Sequence, residues 1–141
     1  MEELLSALEG EGTLHELLPL ERLVSPGGEA DKLAEMWVGK LKPTQLRKVF
    51  NRLRAIDRKL KGRGDEEEIG PQVRAELTML VPELAYAAGR GVINREFYEL
   101  MKGMLRGDKL RKVRDFRRLI AFLEALLAYH KFYEETKGSG R

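Results

Sequence analysis

The segment from Leu41 to Leu60 constrains the chain most strongly, because it combines a helical apolar pattern with a dense run of cations. Pro43 suits the first turn of a helix, where its missing N–H is not needed. The apolar residues recur at spacings of three and four, so they share one side of the predicted helix and must be buried there. These residues are Leu46, Val49, Phe50, Leu53, Ile56 and Leu60.

The opposite side of this predicted helix is almost wholly cationic. A helix that packs with one side and exposes arginines on the other is a candidate for binding a polyanion. The helical repeat places the basic residues in two adjacent lines, with Arg47, Arg54, Arg58 and Lys61 in the first and Lys48, Arg52 and Lys59 in the second.

The net charge of +3 conceals a strong asymmetry along the chain. Residues 1–39 carry two basic and nine acidic groups, residues 40–63 carry ten and one, and the remainder carries fourteen and thirteen. A second basic cluster, from Lys102 to Arg118, holds eight basic and two acidic residues. A single basic run is often only a solvated helix face, but two runs in one small chain favour a nucleic-acid partner.

The chain has 141 residues and is 43% hydrophobic, which suits one domain with a packed core. It contains no run of about eighteen apolar residues and no secretion-signal pattern, so we expect no membrane association and a cytoplasmic location. The absence of cysteine excludes disulfides, thiolate metal sites and thiol catalysis.

Helical patterns recur along the chain and no convincing strand pattern interrupts them, so we predict an all-α fold. The expected architecture is a compact single-domain bundle of five to six helices with a long C-terminal helix, which Asp108 would open and which would end near Thr136. Residues 1–28 form an acidic N-terminal arm of short helices, residues 29–137 the bundle, and residues 138–141 a flexible tail. The arm could pack on its own body or on a neighbouring subunit.

The sequence is poor in residue combinations that support catalysis. His15 and His130 are far apart, and His130 lies in a helical pattern where a packed residue is commoner than an acid or base. No histidine pair has metal-binding spacing, and the carboxylates from Asp65 to Glu68 are typical of a solvated loop, so we expect no metal and no cofactor. An enzyme is therefore the weaker hypothesis.

The aromatic residues indicate how a nucleic acid would be bound. Phe50, Phe97, Phe116 and Phe122 all fall on apolar helix sides, where core packing is favoured over base stacking. Without exposed stacking residues, the basic surface would bind mainly phosphates, with little dependence on base sequence and a strong dependence on salt. A helix-turn-helix regulator is disfavoured, because no short turn precedes a recognition helix.

Three local patterns, in this order, add a resemblance to a known family. They are KPTQLRKVFN at residues 42–51, LVPELAYAAGR at residues 80–90 and FRRLIAFLEALLAYHKFY at residues 116–133. Together they resemble the small α-helical subunit of the Csm complex, the type III-A CRISPR effector. The LAYAAGR run is the most distinctive of the three, and nothing before residue 29 takes part in the resemblance.

The resemblance implies a non-catalytic, RNA-binding subunit for antiviral defence. Such a subunit would be present in several copies, self-associate head to tail beside the crRNA-carrying backbone subunits, and hold the crRNA–target RNA duplex through its phosphates. Its partners would be crRNA, target RNA and the other Csm subunits, both backbone and large. RNA cleavage in the family belongs to a backbone subunit, and the DNase and cyclic-oligoadenylate activities belong to the large subunit.

The resemblance also implies which side chains face RNA. Gln45, Arg47 and Lys48 in the first pattern and Arg90 in the second are the residues carried over from the family. Position and charge add Lys42, Arg52 and Lys131 to the predicted RNA-binding set. The alternative function is a helical protein-protein interaction adaptor with a basic surface that does not bind RNA directly, and a nuclease is a weaker third hypothesis.

Overall fold

The computed structural model describes residues 1–139, with side chains as far as residue 137. In that part of the chain the regular structure is helical, and the sole strand-like feature is an isolated β-bridge between Glu68 and Lys112. The predicted all-α class and long C-terminal helix are therefore confirmed. The helices are α1 Glu2–Leu8, α2 Leu14–Leu17, α3 Leu20–Val24, α4 Glu29–Trp37, α5 Pro43–Lys59, α6 Pro71–Gly89, α7 Arg95–Met104 and α8 Val113–Ser139.

Five of these helices, α4 to α8, begin within residues 29–137, which agrees with the predicted bundle of five to six helices, and the other three are short helices of the N-terminal arm. Helices α2 and α3 are only four and five residues long. Pro19 separates them: the residue before a proline is biased away from the helical region, and Leu18 has φ −123° and ψ 90°. The arm therefore turns sharply at Pro19.

Helix α8 lies at the centre of the bundle. It packs against α2, α3, α4 and α5. Phe116, Phe122, Leu123 and Leu126 are fully buried along it. A helix surrounded by four others needs apolar residues over most of its circumference, which explains why its pattern is broader than one stripe.

The start of α8 differs from the prediction that Asp108 opens this helix. The helix begins at Val113, and Asp108 lies in the preceding turn, 2.9 Å from Arg106. The buried Asp115 performs the capping role, because its carboxylate accepts hydrogen bonds from the N–H groups of Lys112 at 2.9 Å and His15 at 3.0 Å. One of these donors is a hundred positions away, so no local pattern could reveal it.

The N-terminal arm packs on its own body, which is one of its two predicted destinations. Lys109 is almost completely buried, and its ammonium donates hydrogen bonds to the carbonyl oxygens of Gly10 at 2.6 Å and Gly12 at 2.9 Å. The division into arm, bundle and tail stays a prediction, and residues 140 and 141 of the predicted tail lie outside the described residues. The arm contributes the buried residues Leu4, Leu8, Leu14, Leu18 and Leu23 to the common core.

None of the helices in the described chain is long and apolar enough to span a membrane.

Candidate nucleic-acid interface

Helix α5 contacts α6 on one side and α8 on the other. Its apolar side is buried as predicted, with Leu46, Leu53 and Ile56 almost inaccessible to solvent. In this orientation, the two cationic lines of α5 face different neighbouring helices. Arg54 in the first line lies 3.8 Å from Glu124 of α8, and Lys59 in the second line lies 2.6 Å from Glu76 of α6.

A groove of about 570 Å³ separates α5 from α6. Its apolar lining includes Val49 of α5 together with Leu80 and Leu84 of α6. The structure brings four of the predicted RNA-binding residues into this groove, although they come from two separate segments of the sequence. They are Gln45, Lys48 and Arg52 on α5 and Arg90 at the end of α6.

The predicted RNA-binding residues of the groove differ in whether other side chains of the protein contact them. Lys48 is exposed and forms no ion pair with any residue that the structure describes. Arg52 is paired with Glu83, which lines the opposite wall. The guanidinium of Arg90 lies 5.7 Å from the ring centroid of Tyr86, a cation–π distance. Lys48 and Arg90 are therefore the cations best placed to meet an incoming anion.

The other predicted residues lie outside the lining of this groove. Lys42 is the N-cap of α5 and is exposed. Arg47 is exposed on the α8 side of α5, where its charge acts on Lys131. The pKa of Lys131 is nevertheless raised above its ordinary value, because its ammonium hydrogen-bonds Glu135 at 2.9 Å. Arg47 and Lys131 therefore lie outside the groove that Lys48 and Arg90 line.

The second basic cluster offers less free charge than its composition predicted. Its residues pair with the acidic loop at residues 65–68: Arg117 contacts Asp65, while Lys112 and Arg114 lie 2.9 and 3.2 Å from Glu66. The hydrogen bond from Lys112 lowers the pKa of Glu66. The second basic cluster therefore gives less support for a nucleic-acid partner than its composition suggested.

The acidic loop is also accounted for by these ion pairs. In the part of the chain that the structure describes, no group of histidine, aspartate or glutamate side chains could hold a metal ion.

The aromatic residues fall into two classes. Phe97, Phe116 and Phe122 are fully buried, as predicted, and Phe50 is half-buried beneath Arg54. Sequence reasoning missed Tyr86, which is 69% exposed and lines the groove. A signal was available, because Tyr86 lies off the buried line of α6 that consists of Val73, Leu77, Leu80 and Leu84.

Comparison with known protein families gave a match. The family model described as Csm2 Type III-A matches residues 20–136, a range that includes both walls of the groove and most of α8. The comparisons with curated proteins and with solved structures each gave no match. Since the matched range is most of the sequence, the chain belongs to the Csm2 Type III-A family and is a structural subunit of the type III-A Csm complex.

Proposed function

We propose that this subunit is not an enzyme and that it binds RNA in the groove between α5 and α6. In the assembled complex it would hold the crRNA–target RNA duplex by its phosphates, as part of antiviral defence in the cytoplasm. One observation carries the proposal: Gln45, Lys48 and Arg52 line a single groove together with Arg90, although Arg90 lies about forty residues further along the chain.

The chemistry of the groove suits a phosphate backbone. Lys48 supplies an exposed ammonium, and Arg90 supplies a planar guanidinium that can donate two parallel hydrogen bonds to a phosphate. Gln45 adds a neutral donor to the same groove. Contacts of this kind position a strand without reading its sequence, so complementarity would be read by pairing between crRNA and target.

The predicted contacts outside the groove remain part of the proposal. Lys42 and Arg47 lie on the same helix as Lys48, so a strand leaving the groove along α5 would pass them. Lys131 is next to Arg47 but is held by Glu135. We expect these residues to contribute less than Lys48 and Arg90.

Head-to-tail association of several copies beside the backbone and large Csm subunits is also proposed. Its support is the charge reversal along the chain, since residues 1–39 are strongly acidic and residues 40–63 strongly basic. Two different surfaces of opposite charge favour a heterologous contact, which can repeat along a filament. A subunit that stays monomeric in sedimentation velocity with its partner subunits present would contradict this arrangement.

The alternative adaptor function has an observation of its own. Met36 on α4 and Phe132 on α8 are more than half exposed. Exposed apolar residues of this size often anchor protein partners. They do not lie in the groove, so they are compatible with a subunit that binds protein on one surface and RNA on another.

The decisive experiment reverses the charges of Lys48 and Arg90, the two cations of the groove that form no ion pair with a described residue. The variant Lys48→Glu with Arg90→Glu should bind single-stranded RNA at least about tenfold more weakly, whatever its sequence. It should also lower the magnitude of the salt slope by about 1.4, because each lost phosphate contact removes about 0.7 for a single strand. Fluorescence anisotropy at several salt concentrations measures both quantities.

The matched control is Lys32→Glu with Arg95→Glu, which makes the same charge change at exposed positions on α4 and α7. It should lower the affinity far less. If both double variants weaken binding equally, only the net charge matters and the groove assignment is wrong. Labelled RNA incubated with magnesium or manganese should remain intact, and cleavage would contradict the proposed non-catalytic role.

A further inference from the structure

Tyr86 is the most exposed aromatic residue in the described chain. It is 69% exposed on the groove side of α6, and its hydroxyl makes no hydrogen bond to any other described residue. The Arg90 guanidinium lies 5.7 Å from its ring centroid. A tyrosine in this position gains nothing from core burial, which leaves its ring available to a ligand.

The surface beside Tyr86 is apolar and is bordered by cations. Met79, about two helical turns earlier on α6, is 57% exposed and lines the same groove, together with Pro82. Lys48 and Arg90 line it as well. A flat aromatic ring next to apolar side chains, with two cations alongside, matches a nucleotide: the base is apolar on its faces and the phosphate is anionic.

We infer that Tyr86 is a stacking platform for an unpaired RNA base, while Lys48 and Arg90 hold the phosphates that flank this nucleotide. The inference deepens the proposed function and rests on it, because it names the kind of nucleotide that the groove takes. A base within a continuous duplex already has both faces covered by its neighbours. The site therefore takes an unpaired nucleotide and leaves paired ones to phosphate contacts.

Charge favours RNA over a peptide as the occupant. The groove has three cationic side chains, Lys48, Arg52 and Arg90, against the single carboxylate of Glu83. An excess of cations around an exposed aromatic ring is the arrangement found where proteins bind single strands, with stacking on the ring and phosphates on the basic residues.

The test compares Tyr86→Ala with Tyr86→Trp on three RNAs: a single strand, the same strand with abasic nucleotides, and a blunt fully paired duplex. For the single strand, Tyr86→Ala should lower the affinity about 5- to 150-fold, the range expected for one stacked base. Tyr86→Trp should retain it, because an indole also stacks. Because Tyr86 is exposed, both variants should keep the parent circular dichroism spectrum.

Two further readouts separate stacking from the phosphate contacts. The salt slope of Tyr86→Ala should equal that of the parent, because no charge is lost. The effect of Tyr86→Ala should disappear on the abasic strand and on the duplex, which present no free base. An equal loss of affinity on all three RNAs would overturn the inference, since it would mean that the variant only displaces Arg90.

The outcomes also distinguish this inference from the proposed function. If Lys48→Glu with Arg90→Glu abolishes binding and Tyr86→Ala binds like the parent, the groove binds phosphates and the stacking platform is wrong. If the parent protein binds none of the three RNAs, both proposals fail. If Tyr86→Ala no longer binds a partner subunit while its RNA affinity is unchanged, the tyrosine belongs to a protein interface and the inference is overturned.

Discussion

Arg52 and Glu83 form an ion pair across the groove between α5 and α6, so one of the cations in the proposed RNA site is already neutralised by its own chain. Both side chains are 40–49% exposed. A pair this accessible contributes no more than about 1 kcal/mol to stability, and a phosphate can compete for the arginine. At the proposed site, Glu83 would therefore compete with an RNA phosphate for Arg52.

This relationship predicts a gain of affinity. Glu83→Gln removes a carboxylate from the groove and frees Arg52, so the affinity for single-stranded RNA should rise a few-fold. The magnitude of the salt slope should increase by about 0.7, the contribution of one new phosphate contact on a single strand. Anisotropy titrations at several salt concentrations measure both changes.

The control for this prediction is Glu76→Gln. Glu76 also belongs to α6 and pairs with Lys59 of α5 at 2.6 Å, but neither residue lines the groove. The two substitutions change the net charge equally. If Glu76→Gln raises the affinity as much as Glu83→Gln does, the gain reflects general electrostatics and not the release of Arg52.

A second prediction compares how much Arg47 and Lys131, on the α8 side of α5, contribute to RNA binding. Lys131 is engaged by Glu135 at 2.9 Å, whereas Arg47 forms no ion pair within the described residues. Arg47→Met should therefore lower the salt slope for RNA by about 0.7. The double variant Lys131→Met with Glu135→Gln, which keeps the net charge, should leave the slope unchanged. The ranking is wrong if the double variant has the larger effect.

A third prediction concerns the attachment of the N-terminal arm. The buried Lys109 ammonium donates to the carbonyl oxygens of Gly10 and Gly12, and such charged hydrogen bonds contribute about 1.5–3 kcal/mol each before the cost of burying the charge is subtracted. Lys109→Met should lower the free energy of unfolding by about 2 kcal/mol in urea denaturation.

The comparison for this prediction is Lys102→Met on α7. Lys102 is about half exposed and pairs with Glu99 three residues earlier, at 3.2 Å. Removing an exposed helical pair of this kind should change the free energy of unfolding by less than about 0.5 kcal/mol. Equal losses in the two variants would show that Lys109 does not hold the arm.

The sequence predicted the features of α5 that depend on local spacing. The apolar positions of α5 recur every three or four residues, so its buried side and its two cationic lines could be read directly. The groove could not be predicted in this way. It exists because α6 packs beside α5 and brings Arg90 to Lys48, a relationship between residues forty-two positions apart that no local pattern encodes.

The same limit explains why the sequence overestimated the unpaired charge of the second basic cluster. Counting charges from Lys102 to Arg118 ignores the acidic loop, which folds back and neutralises part of the cluster. Glu66 reaches Lys112 and Arg114 from forty-six and forty-eight positions away. Charge composition therefore locates a cationic surface only when the fold leaves its members unpaired, as it does for Lys48.

The last prediction concerns pH and the hydrogen bond from the Tyr133 hydroxyl to Asp31, which joins α8 to α4. This bond, together with that from the Gly27 N–H at 2.7 Å, lowers the pKa of Asp31 below its ordinary value of 3.8. The carboxylate in turn raises the pKa of Tyr133 from 10.0 to about 12. Both shifts stabilise the fold near neutral pH, but they are lost at opposite ends of the pH scale.

The Asp31 contribution is present above pH 3.8 and is lost as the pH falls through the lowered pKa. The Tyr133 contribution is present below pH 10 and is lost as the pH rises towards about 12, because the unfolded tyrosine ionises first.

Tyr133→Phe removes the hydroxyl and keeps the ring. The parent should therefore exceed Tyr133→Phe in free energy of unfolding at neutral pH, by a difference that shrinks at both extremes. Asp31→Asn removes the carboxylate and keeps the tyrosine. Its free energy of unfolding should lose the same pH dependence. A parent-to-variant difference that stays constant from pH 10 to about 12 would show that the bond between α4 and α8 does not control this titration.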